Sequence, residues 1–157
     1  MEKPGDCPFC GAKGNFIKSG KEACPIVNER IEISELSKNN LLETLELETK
    51  ATAIYLCMAE KSETYEIKAM YKRLAKVESE HAAIVIKLLD IKMPETKSEE
   101  CFSEDLDNFK KTIELEDRAV GLYKRFAGEA VENNIRKFFG ALTQVEAGHS
   151  ELIKKYI

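Results

Sequence analysis

Residues 44–89 align with residues 112–157 at a constant offset of 68 and without a gap, and this repeat restricts the fold more than any other feature. Thirteen of the 46 positions are identical. Thr44, Glu46, Leu47, Glu48, Ala51, Tyr55 and Ala59 match Thr112, Glu114, Leu115, Glu116, Ala119, Tyr123 and Ala127. Further along, Val77, Glu78 and His81 match Val145, Glu146 and His149. Both halves carry helical periodicity; Leu41, Leu45, Glu48, Thr52, Tyr55 and Ala59 fall on one stripe. The repeat therefore predicts an all-α protein, two similar helical hairpins packed as a four-helix bundle over 34–157. Helices are expected over about 34–61, 64–90 and 104–131, and from Asn133-Asn134 to about 156. Ser34 and Ser103 stand at plausible helix starts.

Between the hairpins lies "DIKMPETKSEECFSED", a polar stretch with Pro94 and no helical pattern. A helix of about 26 residues is about 39 Å long. An extended link of about 14–16 residues reaches at most about 50 Å. The link can thus cross the whole bundle, as a ferritin-like topology needs, or make a loose turn.

Composition narrows the function. The chain has 157 residues, is 43% hydrophobic and 33% charged, and contains only 8 Gly and 4 Pro, a mix that favours a helical globular domain. A net charge of −4 leaves no basic field for nucleic acid. The apolar runs are too short to span a membrane. The opening "MEKPGDCPFC" has no apolar signal core, which points to the cytoplasm. Five cysteines in such a chain read as metal ligands or free thiols before disulfides.

The chemistry is carried by the only two histidines. Each follows a glutamate by three residues, in "VESEHAAI" (77–84) and "VEAGHSEL" (145–152). Residues three apart share a helix face. Glu78 and His81 lie with Leu74, Val85 and Leu88; Glu146 and His149 lie with Leu142, Ile153 and Tyr156. Glutamate makes up 23 of 157 residues, so one such pair means little; the duplication gives it weight. Carboxylates on apolar faces need compensation. Helices 1 and 3 add Glu48 and Glu116, which lie on apolar stripes, with Glu46 and Glu114 as rivals two residues away. Four carboxylates and two divalent cations balance in charge. One imidazole per ion with hard oxygen donors suits Fe or Mn, and Zn could also be held. Carboxylates from helices 1 and 3 are expected to bridge the two ions. One Glu from each of two helices with Glu-x-x-His from the other two is a known di-metal pattern of ferritin-like bundles.

On Glu48, "ESEH" (78–81), Glu116, "LYKRFA" (122–127) and "EAGH" (146–149), the chain from about 40 to 157 resembles the rubrerythrins, within the ferritin-like diiron-carboxylate superfamily. The resemblance implies two Fe in the bundle, Tyr55 and Tyr123 hydrogen-bonded to ligating carboxylates, and a homodimer. It also implies reduction of hydrogen peroxide with electrons from a separate rubredoxin-type donor. Rubrerythrins usually add a helix-3 glutamate one turn after the first. Ala119 or Val120 stands there in this chain, which brings the six-ligand set nearer to a bacterioferritin-type centre.

Residues 1–28 form a separate segment. "CPFCGAKGNF" (7–16) looks like the second knuckle of a rubredoxin or zinc ribbon. Cys7 and Cys10 are candidate ligands for one Zn or Fe, with Cys24 as a third and Cys101 as a possible fourth. Cys57, within helix 1, reads as a small buried hydrophobe. The leading function is a peroxide-reducing dimetal oxidoreductase. A ferroxidase using O₂ or peroxide, an iron-binding protein without turnover, and a metal-free helical interaction bundle are the other readings.

Overall fold

A computed structural model describes residues 4–22 and 32–157. Four helices account for most of the chain: α1 (Glu35–Lys61), α2 (Tyr65–Leu89), α3 (Asp105–Glu129) and α4 (Asn133–Ile153), followed by a 3₁₀ turn at Lys154–Tyr156. Ser34 accepts the Ser37 amide at 3.3 Å and Thr64 accepts that of Ile67 at 3.3 Å, so hydroxyl caps start the first hairpin's helices. The anticipated Ser103 start falls one residue early. Glu104 holds the cap position of α3 and makes no side-chain cap bond.

α1 packs along α2, and α3 along α4, which is the pair of hairpins that the repeat implies. The apolar core splits into two clusters. One holds Leu41, Leu45, Val85, Phe126 and Phe139; the other holds Ile54, Met58, Leu74, Phe109 and Ile153. Along α1 the chain passes from the first cluster to the second, along α2 back again. α3 also runs from the second cluster (Phe109) to the first (Phe126). Helices α2 and α3 are therefore parallel, and the link between them must travel the length of the bundle. It does so beside α1: Pro94, Glu95 and Lys97 line a groove with Leu42, Leu45 and Thr49. Of the two topologies that the link length allowed, the ferritin-like crossover is the one adopted.

The link is also fastened. Cys57 on α1 and Cys101 form a disulfide, and Lys61 donates to the Cys101 carbonyl at 2.7 Å. This corrects two readings from sequence: Cys57 is not simply a buried hydrophobe, and Cys101 is not free to complete a site at the head. The crossover brings together two residues 44 apart that no local pattern connects.

The described head residues fold as turns with one antiparallel bridge, Asp6 to Lys13. The Cys7 amide donates to the Ala12 carbonyl at 2.8 Å and the Gly11 amide to the Cys7 carbonyl at 3.0 Å. Gly11 has φ +71°, and a Cβ there would meet Val145 Cγ1 at 3.0 Å. Only glycine lets this turn sit so close to α4. Among the described residues no helix is long and apolar enough to cross a membrane.

At one end of the bundle Glu132 ties the two hairpins together. Its carboxylate accepts the Ser34 amide at 2.6 Å and the Ser37 hydroxyl at 2.6 Å, at the N-terminus of α1 where the helix dipole favours an anion. Glu132→Ala should cost about 1–2 kcal/mol, discounted for partial exposure. Urea unfolding checks the loss, and faster amide exchange should appear first at the start of α1.

Candidate metal centre

The level between the two apolar clusters is occupied by charge. Glu48 from α1, Glu78 and His81 from α2, Glu116 from α3, and Glu146 and His149 from α4 are all buried there; His149, 9% exposed, is the least enclosed. His81 Nδ1 lies 3.1 Å from Glu78, 3.4 Å from Glu146 and 3.5 Å from Glu48. His149 Nδ1 lies 2.9 Å from Glu146, 3.2 Å from Glu78 and 3.6 Å from Glu116. The rival glutamates Glu46 and Glu114 are exposed, and Glu114 pairs with Lys111 at 3.1 Å.

These six side chains form two overlapping donor groups. One is Glu48, Glu78, His81 and Glu146; the other is Glu78, Glu116, Glu146 and His149. Within each, the donor atoms lie within 4.8 Å of one another. Glu78 and Glu146 belong to both. The carboxylates placed to bridge two ions are thus those of α2 and α4, not those of α1 and α3 as the sequence reading expected. The Glu-x-x-His spacing puts each of these glutamates a turn from its histidine and toward the bundle axis. Glu48 and Glu116 sit to either side.

Each outer carboxylate is held by the opposite hairpin. The Tyr55 hydroxyl of α1 donates to Glu116 Oε1, and the Tyr123 hydroxyl of α3 donates to Glu48 Oε1 at 2.6 Å. Burial and the neighbouring carboxylates push both phenols well above their ordinary pKa, so they stay protonated as donors.

His81 has a further partner that side-chain patterns do not reveal. Its Nε2 lies 2.9 Å from the Cys10 carbonyl oxygen. A carbonyl only accepts, so Nε2 carries the hydrogen, and in the neutral ring the Nδ1 lone pair faces the carboxylates. The cysteine knuckle is therefore seated on the histidine side of the cluster.

Without a cation the cluster is neutralised by protons. Burial pushes Glu48 up to about 8, helped by Glu78 and Glu146 and opposed by His81. Burial and Glu146 also raise Glu116 well above the usual carboxylate range. Burial disfavours charge on both histidines, yet the carboxylates facing them outweigh it and hold both imidazoles well above their ordinary value. Glu78 and Glu146 are lowered in turn, because the histidines outweigh their burial. Even so, both oxygens of Glu78, both of Glu146 and the Nδ1 atoms of both histidines have no hydrogen-bond partner. Buried polar atoms are rarely left so. Six orphaned donor atoms converging on one place fit a pair of metal ions.

The remaining candidate ligands divide. Cys7 and Cys10 are half-buried free thiols on the knuckle, and Cys24 lies outside the described residues. Among the described residues no cluster of metal-ligating side chains includes Cys7 or Cys10. Burial alone would raise the Cys7 thiol; hydrogen bonds from the Cys10 and Phe9 amides and from the Cys10 thiol outweigh this and lower it. Cys10, as the donor, is raised, chiefly by burial.

Residues 39–157 match the rubrerythrin family. The chain belongs to that family. No curated protein and no solved structure matched. The family assignment covers the bundle except the first turn of α1, includes all six clustered side chains, and stops short of the cysteine knuckle. In a rubrerythrin-family bundle the buried Glu/His cluster fits a dimetal site.

The metal-free protein should show this electrostatics directly. The folded chain keeps a proton on Glu48 that the unfolded chain releases at the usual 4.5, so folded binds more protons than unfolded between about 4.5 and about 8. Stability of the metal-free chain therefore falls as pH rises through that window. Melting temperatures across it, with and without added Fe(II) or Mn(II), provide the check. The metal-bound chain should lose this slope, because cations replace the protons.

Proposed function

We propose that the chain is a non-haem dimetal oxidoreductase, with iron as the resident metal, that reduces hydrogen peroxide to water and is re-reduced by an external donor. The observation that carries this reading is the sharing of Glu78 and Glu146 between two complete donor groups, each with one imidazole. Glu48, His81 and the shared pair would hold one ion; Glu116, His149 and the shared pair would hold the other. Two iron ions so placed would supply the two electrons that convert peroxide to two waters.

The protein's own residues prepare the site for a small oxidant. A cavity of about 50 Å³ opens beside Glu48 and Glu116, walled by Ala51, Ile54, Ala119 and Leu122. It has room for a few water-sized molecules and for no organic substrate. Tyr55 and Tyr123 orient the outer carboxylates and keep a hydroxyl proton next to the site. The Cys10 carbonyl fixes the His81 tautomer. The apolar walls limit bulk water at the carboxylates.

Ala119 favours a second reading. It lines the cavity where a further helix-3 carboxylate would extend the ligand set, so the six-ligand site could serve a ferroxidase that oxidises Fe(II). Anaerobic stopped-flow on the reduced, iron-loaded protein separates the two. Fast oxidation by peroxide with slow oxidation by O₂ supports the peroxidase; equal or reversed rates sink it.

Metal content tests the ligand assignment separately. Glu48→Ala should leave one ion per chain, since Glu48 belongs to one donor group only. Glu78→Ala should strip both. Inductively coupled plasma mass spectrometry on the purified variants reads the difference, and equal losses would refute the shared-carboxylate arrangement.

A further inference from the structure

The proposed function leaves the electron source open, and among the described residues the cysteine knuckle places two free thiols beside the site. Cys7 and Cys10 are free thiols and lie on either side of a single turn, which the Gly11 amide closes onto the Cys7 carbonyl at 3.0 Å. That turn is docked on the bundle: Gly11 rests against Val145 and Val77, and the Lys13 side chain reaches Gly148. Its contact with the cluster is direct, through the Cys10 carbonyl on His81 Nε2 at 2.9 Å. The knuckle also remains reachable. Cys7 lines an open surface groove with Arg73 and His149, and Cys10 lines another with Phe16 and His81. Among the described residues no third ligand joins the two thiols.

We propose that Cys7 and Cys10 form a redox-active dithiol that delivers two electrons to the dimetal site and is regenerated by an external dithiol. This rests on the peroxidase reading above. Each thiol gives up one hydrogen atom and a sulfur–sulfur bond forms between them. The two electrons and two protons released balance the cleavage of one peroxide O–O bond to two waters. The Cys10–His81 hydrogen bond is the electron path. A small external dithiol then restores both thiols by thiol–disulfide exchange and leaves oxidised itself. Two thiols match one peroxide, so no unpaired electron is left on the knuckle.

The test uses the full chain, reduced and iron-loaded under anaerobic conditions, with one equivalent of hydrogen peroxide. Differential alkylation and peptide mass mapping count free thiols, a readout independent of turnover. The expected result is loss of both the Cys7 and Cys10 thiols as one Cys7–Cys10 disulfide, with far slower loss in the metal-free chain. Cys7→Ser keeps the Cys10 carbonyl on His81 and should abolish re-reduction by dithiothreitol. Peroxide consumed while both thiols stay free overturns this proposal alone. So does equal oxidation without metal, a disulfide to Cys24 instead, or a Zn or Fe ion held by the thiols and lost from Cys7→Ser. Peroxide left unconsumed by the loaded chain defeats the peroxidase reading, and this proposal with it.

Discussion

Glu78 and Glu146 face each other at the middle of a helical bundle, with an apolar cluster above and another below. Both are buried, and none of their four oxygens has an aligned hydrogen-bond partner. Charge in such a place is costly unless an opposite charge sits beside it. The histidines one turn away meet part of that demand, and protons on Glu48 and Glu116 meet more. Two divalent cations would meet all of it at once. The architecture around the cluster follows from this requirement, because each helix must bring its polar residues to the same level and keep everything else apolar.

Neither hairpin can build the site alone. The donor group around His81 needs Glu146 from the second hairpin, and the group around His149 needs Glu78 from the first. The tyrosines repeat the exchange: Tyr55 serves Glu116, and its counterpart Tyr123 serves Glu48. The 68-residue offset relates every one of these pairs. Metal affinity and hairpin association are therefore the same free energy seen twice, since separating the hairpins separates the ligands. Glu132 adds a second tie, remote from the cluster, and the Cys57–Cys101 disulfide a third.

Much of this was legible in the sequence because helical periodicity encodes direction. The stripe that placed Glu48 with Leu45 and Tyr55, and Glu46 elsewhere, reflects the same geometry that buries the one and exposes the other. The four helices were legible to within a few residues. Three features were not. Which carboxylates are shared depends on how deep each helix sits against the bundle axis, and periodicity gives a face without a depth. The Cys57–Cys101 pairing depends on the path of a link whose length alone allowed two routes. The Cys10 carbonyl on His81 is a backbone atom, and backbone atoms leave no signature in residue type.

The cluster thus has two unlike sides. On the α1–α3 side lie the outer carboxylates, the two tyrosines and a small apolar cavity. On the α2–α4 side lie the histidines, with the knuckle seated over His81. An oxidant small enough for the cavity would arrive among carboxylates and phenols, which can hold and give protons. It would not need to pass the thiols, which such an oxidant could damage. Electrons entering along His81 would come from the opposite face. On the proposed function one reagent reduces the site and another oxidises it, and this separation would let each meet only the groups suited to it. The asymmetry is not a property of the duplicated bundle, whose two halves offer equivalent histidines. It arises because a single knuckle, present once in the chain, is seated over His81, while His149 keeps the more open position.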